Sequence, residues 1–224
     1  MPEPQIPATH LRHVRAWVFD LDNTLYPPSA RLFDQINTRM TGFIMRELGL
    51  AEAAAHDLRH DLWQRYGATL TGLIHEHGVS AEDFLDEAHR IDLGGLVRDA
   101  GLARRIAALP GRRIVHTNGS RAHAAGVLAA RGLTEVFDQV VAIEDKGLTP
   151  KPQRAAYARF LALTGVEPGA ALMVEDHAEN LREPKRLGMA TVWVTEDVAA
   201  ETPGFVDHRA HSVHGFLDRL SEVD

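Results

Sequence analysis

Short, nearly unbroken apolar runs alternate along this chain with stretches whose apolar residues recur every three or four positions. Residues 14–19 lead into Asp20, 113–116 into Thr117, and 139–143 into Glu144 and Asp145. Residues 170–174 lead into Glu175 and Asp176, and 190–194 into Thr195. Strands buried on both faces of a parallel sheet have this composition, rich in β-branched residues and without polar alternation. Between them, Ala122, Ala125, Val127 and Leu128 form one helical face, and Ala156, Tyr157, Phe160 and Leu161 another. The alternation predicts an α/β fold, a doubly wound parallel sheet of about five strands. Ligands of such sheets bind at the carboxyl ends of the strands, and here each strand ends in polar or acidic residues.

The interval between the first two strands breaks the rhythm. It runs for about 75 residues, far more than one crossover helix needs. Leu32, Ile36, Met40, Phe43, Ile44 and Leu48 keep a helical period, with Ser29 as candidate N-cap. Leu58, Leu62 and Tyr66 follow at four-residue spacing, and Ser80 opens a capping-box pattern ahead of Phe84, Leu85, Ala88 and Ile91. These patterns predict an all-helical cap over residues 28–103, inserted into a core made of residues 1–27 and 104–224. A short helix through Val213, Phe216, Leu217 and Leu220, capped by Ser212, closes the chain. An insert leaving the sheet at the end of its first strand is placed to act as a lid.

Composition narrows the function. Among 224 residues, 24 Lys and Arg stand against 31 Asp and Glu, a formal net charge of −7. That balance argues against a nucleic acid polymer as partner, but not against a small phosphorylated metabolite held in a local positive pocket. There is no cysteine, which excludes disulfides, cysteine-ligated zinc and a thiol nucleophile. The first residues carry no apolar signal region and no apolar run is long enough to span a bilayer, so the expectation is a cytoplasmic protein with no membrane partner. Oligomeric state is not legible.

The chemistry concentrates at four strand ends. Asp20-Leu21-Asp22-Asn23-Thr24 places two carboxylates after a buried strand, where they repel unless a cation or proton lies between them. A hard divalent ion with oxygen ligands, Mg2+ foremost, would resolve this. Asp20 then reads as nucleophile and metal ligand, and Asp22 as general acid and base. Thr117-Asn118-Gly119-Ser120 offers a hydroxyl and backbone N–H groups ahead of a helix, an anion cradle. Lys151, flanked by Pro150 and Pro152, reads as a cation held in a stiff, extended segment. Glu175-Asp176-His177-Ala178-Glu179-Asn180 supplies one further metal-binding carboxylate, assigned to Asp176, with Asn180 orienting Lys151 or a water. Singly, these segments also read as a turn, an N-cap, a surface lysine and an acidic loop. Together, in this order, they are the parts of a phosphoryl-transfer site.

The ordered set DLDNTL, TNGS, the lysine of TPKP and VEDHAEN resembles the haloacid dehalogenase-like hydrolase superfamily, over residues 14–194. The resemblance implies a Rossmann-like core, a cap inserted after the first motif, and an aspartyl-phosphate intermediate with Mg2+. It gives Asp20 as nucleophile and metal ligand, and Asp22 as acid/base and as metal ligand through its backbone carbonyl. Thr117 and Asn118 would bind the phosphoryl group, Lys151 would neutralise charge, and Asp176 would be the third metal ligand. Dehalogenating members lack the second aspartate of the first motif, so Asp22 points to phosphate-ester hydrolysis. FDLDNTLYPPS, RYGATLTGLIHEHG, FDQVVAIED and ENLREPKRLGMATVWV further resemble the pyrimidine 5′-nucleotidase branch. That implies a nucleoside 5′-monophosphate substrate; phosphatases of sugar phosphates or phosphoglycolate, or a catalytically silent binding module, are the alternatives. His177 stands where many relatives have Ser, and Asn180 where an acidic residue is common. Arg65, Tyr66, Thr69 and His89 are the cap candidates for substrate contact. The 13 histidines, spaced as His56/His60 and His208/His211/His214, lack matching carboxylates and read as solvated faces rather than a transition-metal site.

Overall fold

The computed structural model describes residues 11–220. Its sheet has six parallel strands in the order β3-β2-β1-β4-β5-β6. They are β1 (Ala16–Phe19), β2 (Arg112–His116), β3 (Gln139–Val141), β4 (Ala171–Glu175), β5 (Ala190–Val194) and β6 (His208–Ala210). The sixth was not among the expected strands. His208-Arg209-Ala210 is a three-residue edge strand that buries only Ala210 among its residues, so it carries no apolar run to read. Strand β1 shows why the others were legible. Trp17 and Phe19 enter one apolar cluster and Ala16 and Val18 enter a second, on the opposite face of the sheet.

Helices α1 (Leu32–Leu48), α2 (Glu52–Tyr66), α3 (Thr69–His77) and α4 (Ala81–Ala88) follow β1. Phe43, Ile44, Leu62, Leu73, Phe84 and Leu85 pack there into a third cluster of their own, joined by Ile143 from the loop after β3. Helix α5 (Ala100–Ala107) instead sends Leu102 and Ile106 into the sheet cluster. Helices α6 (Arg121–Arg131) and α9 (Val213–Asp218) cover that same sheet face, and α7 (Arg154–Thr164) and α8 (Arg182–Leu187) cover the other.

Caps fix the helix starts. Ser80 accepts from the Asp83 N–H and Ser212 from the Gly215 N–H, at the two positions read as caps. Ser29 does not cap α1. Residues 28–30 form a 3-10 turn that Pro28 opens, and the N-cap is Arg31, in the left-handed region at φ 55°. Two prolines before Ser29 set that turn first.

Candidate functional site

The register places the chemistry. Phe19 is level with Val115 on one side and Val174 on the other, so the next residue of each strand, Asp20, His116 and Glu175, emerges at one edge. The Asp20 N–H donates to the Val174 carbonyl at 2.9 Å, which carries the pairing one residue beyond β1. Asp20, Asp22, Thr117, Asn118, Lys151 and Asp176 all line a single cavity of about 760 Å³, roofed by residues of α1 and α2.

Lys151 is the hub. It is 1% exposed, and its Nζ donates at 2.6 Å to Asp20 Oδ1 and at 2.6 Å to Glu175 Oε2. Burial alone would lower its pKa, but the two carboxylates outweigh that and raise it, so the ammonium is fully charged. It sits in a turn rather than the extended segment expected from its flanking prolines. Asn118 holds that turn: its Oδ1 accepts from the Lys151 N–H at 2.8 Å and its Nδ2 donates to the Lys151 carbonyl at 3.0 Å. The side chain of Asn118 is therefore committed mainly to Lys151, and its backbone N–H is what it has to offer an anion. Thr117 Oγ1 accepts from the Gly119 N–H at 2.8 Å, which folds the loop that precedes α6.

Asp20, Glu175 and Asp176 bring ligand oxygens within 4.8 Å of one another. Burial, and then the charge of Glu175, push the Asp20 carboxyl up to about 7 and that of Asp176 up to about 9. Both rises come first from burial and second from neighbouring negative charge that Lys151 only partly cancels. With all three carboxyls ionised, the Lys151 ammonium would leave two negative charges uncancelled, which one divalent cation would offset. The donors are all oxygen, as Mg2+ requires. Lys151 takes Oδ1 of Asp20; among the described residues Oδ2 accepts no hydrogen bond. The residues present fit the ion.

The Asp22 carboxylate lies apart from that cluster. Tyr26 Oη donates to its Oδ1 at 2.7 Å, and His123 Nε2 meets the same oxygen at 2.7 Å. Burial acts to raise the Asp22 pKa, but His123 and Tyr26 outweigh it and hold the carboxyl below its usual range.

Four residues of this site went unread in the sequence. Glu175 is the first of an acidic pair whose metal-binding role the sequence assigns to Asp176; as the last residue of β4 it faces Lys151, while Asn180 Nδ2 donates to its Oε1 at 3.1 Å. Lys146 is fully buried, with Nζ donating to the Thr117 carbonyl at 2.8 Å and Asn118 Oδ1 at 3.2 Å. Burial first, and the Lys151 charge second, hold its pKa well below the usual lysine value. Tyr26 and His123 are far apart in sequence and meet only through Asp22. Of the four cap candidates, Thr69 lines the cavity. Arg65 is paired with Asp61 and Glu76, Tyr66 Oη donates to Glu76, and His89 stacks on His123. Phe33, Asn37, Arg59 and Trp63 stand on the cavity wall in their place.

A yeast protein, Phosphate metabolism protein 8 of Saccharomyces cerevisiae, is 23% identical over 93% of this chain and 71% of its own length. A HAD phosphatase from Thermococcus onnurineus has the same fold, with a TM-score of 0.65 at 18% identity, covering 93% of this chain and 98% of that one. L-2-haloacid dehalogenase from Xanthobacter autotrophicus also shares it, with a TM-score of 0.54 at 16% identity over 92% and 97% of the two chains. The family model for haloacid dehalogenase-like hydrolase matches residues 14–188. With most of the chain inside that match, the protein belongs to the haloacid dehalogenase-like hydrolases.

Proposed function

We propose that this hydrolase is a Mg2+-dependent phosphomonoesterase acting through an aspartyl-phosphate on Asp20. The observation that carries the reading is the Lys151 ammonium bridging Asp20 and Glu175 beside the three-carboxylate cluster, at the floor of a roofed cavity. An Asp20 oxygen attacks phosphorus while the ester P–O bond breaks, and Asp22 relays to the leaving oxygen a proton that the monoanionic phosphate ester brings. Asp22 then takes a proton from water as that water attacks phosphorus. The bond from phosphorus to Asp20 breaks, releasing inorganic phosphate. Lys151 and the N–H groups of the Thr117–Ser120 loop hold the phosphoryl oxygens. Mg2+, held by Asp20, Asp176 and the Asp22 carbonyl, would offset the negative charge gathered there. Glu175 and Asn118 keep Lys151 in place.

Residues 28–103 act as the cap in this reading, and the cap chooses the substrate. Trp63 and Phe33 both line the cavity and expose 44% and 40% of their surface. Exposed aromatic faces beside the Asn37 amide suit a flat, hydrogen-bonding ring, so a nucleoside 5′-monophosphate, pyrimidine in the first place, is the proposed substrate. That the Thermococcus neighbour is a HAD phosphatase supports ester hydrolysis, and Asp22 weighs against the dehalogenase chemistry of the Xanthobacter protein.

The test is a phosphate-release screen with Mg2+ over nucleoside monophosphates, sugar phosphates and phosphoglycolate, with Asp20→Asn as control. Expected are preference for a nucleotide and loss of turnover by at least about 1,000-fold in the variant, without unfolding, because the amide is nearly isosteric but not nucleophilic. Near-wild-type turnover in Asp20→Asn would remove it from the mechanism. A preference for sugar phosphates would reassign the cap, and no release from any ester would favour a silent binding module.

A further inference from the structure

Asp22 must exchange a proton with the leaving oxygen, yet its carboxylate has two oxygens and free rotation unless something fixes it. Both of its side-chain donors fall on one atom. Tyr26 Oη and His123 Nε2 each lie 2.7 Å from Oδ1. A carboxylate only accepts, so Nε2 carries the ring hydrogen. Oδ2 is left for the reaction. It lies over Gly119, in the loop of the anion cradle, where an added Cβ would come within 3.4 Å of Oδ2 and 2.9 Å of His123 Cδ2. A glycine here lets the ring and the carboxylate approach that loop.

The ring itself is held from several sides. The His123 side chain is 1% exposed, and its backbone N–H donates to the Ser120 hydroxyl at 3.2 Å, the N-cap of α6. His89, at the end of α4, stacks on it at 4.4 Å between centroids and 21° between planes. His89 Nδ1 is in turn 3.0 Å from the Leu85 carbonyl. Among the described residues buried His123 Nδ1 has no hydrogen-bond partner, and the ring's one hydrogen bond there is to Asp22.

Resting on the phosphatase reading above, we propose that His123, with Tyr26, is a positioning residue that clamps Asp22 through Oδ1 so that Oδ2 is the atom that exchanges the proton. His89 braces that clamp from the helical segment. The assignment concerns the protonation of the leaving group, and an alkoxide needs that proton where a nitrophenolate does not.

The experiment compares kcat/KM, which reports only steps through leaving-group departure, for an alkyl phosphate and for p-nitrophenyl phosphate. His123→Phe keeps a ring against His89 and removes the donor. Tyr26→Phe removes the other donor and keeps the packing of a buried ring. Each should lower the alkyl-to-aryl ratio of kcat/KM by about 10-fold or more, within the range of general-acid effects. His123→Gln, which restores an N–H at similar reach, should bring the ratio back to within about threefold of wild type. Should His123→Phe fail to fold, Tyr26→Phe reads the same clamp. Equal losses on both esters, leaving the ratio unchanged, would overturn the assignment while the phosphatase reading stands. A wild-type protein that hydrolyses neither ester overturns that reading and the clamp together.

Discussion

His116 is a residue the proposed chemistry does not use. It ends β2, is fully buried, and among the described residues neither ring nitrogen has a hydrogen-bond partner. It stacks on Phe160 at 4.5 Å and meets Tyr157 edge-on at 5.3 Å, as an aromatic hydrocarbon would. Burial, then the nearby Lys146 and Lys151, hold its pKa well below 6.5. The folded state thus stays neutral at a pH where the unfolded chain takes up a proton. The unfolded state binds more protons as pH falls below about 6.5, so stability is lost in that direction. His89, lowered to about 4 chiefly by burial, adds a second loss of the same sign. In His116→Phe the first loss should vanish: between pH 7.5 and 5.5 its stability should shift by about 1.4 kcal/mol in its favour relative to wild type. Urea denaturation at the two pH values measures this. An unchanged gap would mean that His116 protonates in the folded protein. At this scale the sequence singles out Asp20, Asp22, Thr117, Asn118, Lys151 and Asp176, which the fold brings to one cavity; all but Lys151 follow closely on a strand, and Lys151 is marked by its flanking prolines. Sequence reading missed Glu175, Lys146, His123 and Tyr26, because a side chain that supports another is recognised only by what it touches.

Whole elements were legible where apolar patterning was strong. The first five strands and the helices that bury a stripe against them follow from the run-and-period signal, with ends shifting by a residue or two. The sixth strand and the true start of α1 were not, since one depends on an edge pairing and the other on a proline-set turn. Helix α2 carries the most direct substrate prediction. Trp63 lines the cavity with the His60 and His177 rings each 5.9 Å from its own, so the helical segment contributes an aromatic wall to the site. Trp63→Ala should raise KM for a nucleoside monophosphate by roughly 5- to 10-fold, the loss of about 1 kcal/mol of stacking. The KM for p-nitrophenyl phosphate, whose single ring stays near the phosphate, should move less than about twofold. Equal increases for both would place the base elsewhere.

Across the whole molecule, a chain of net charge −7 folds around a buried Lys151 ammonium held between the carboxylates of Asp20 and Glu175. Among the described residues no helix is long and apolar enough to cross a membrane. The sheet supplies rigid strand ends for Asp20, Thr117 and Glu175, and the helical segment supplies the roof through a separate apolar cluster. That separation allows one core to serve different substrates. It also explains why reaction class was easier to read than substrate: strand ends have a fixed address in the sequence, whereas the roof residues Phe33, Asn37 and Trp63 are ordinary helical positions until the cavity forms. The central claim is that an Asp20 oxygen becomes bonded to phosphorus. The most direct test is a crystal grown with Mg2+ and beryllofluoride, a mimic of the phosphoryl group. The account predicts beryllium bonded to an Asp20 carboxylate oxygen, with Lys151 against its fluorines and the metal between Asp20 and Asp176. Beryllofluoride bound at another residue, with Asp20 free, would contradict it.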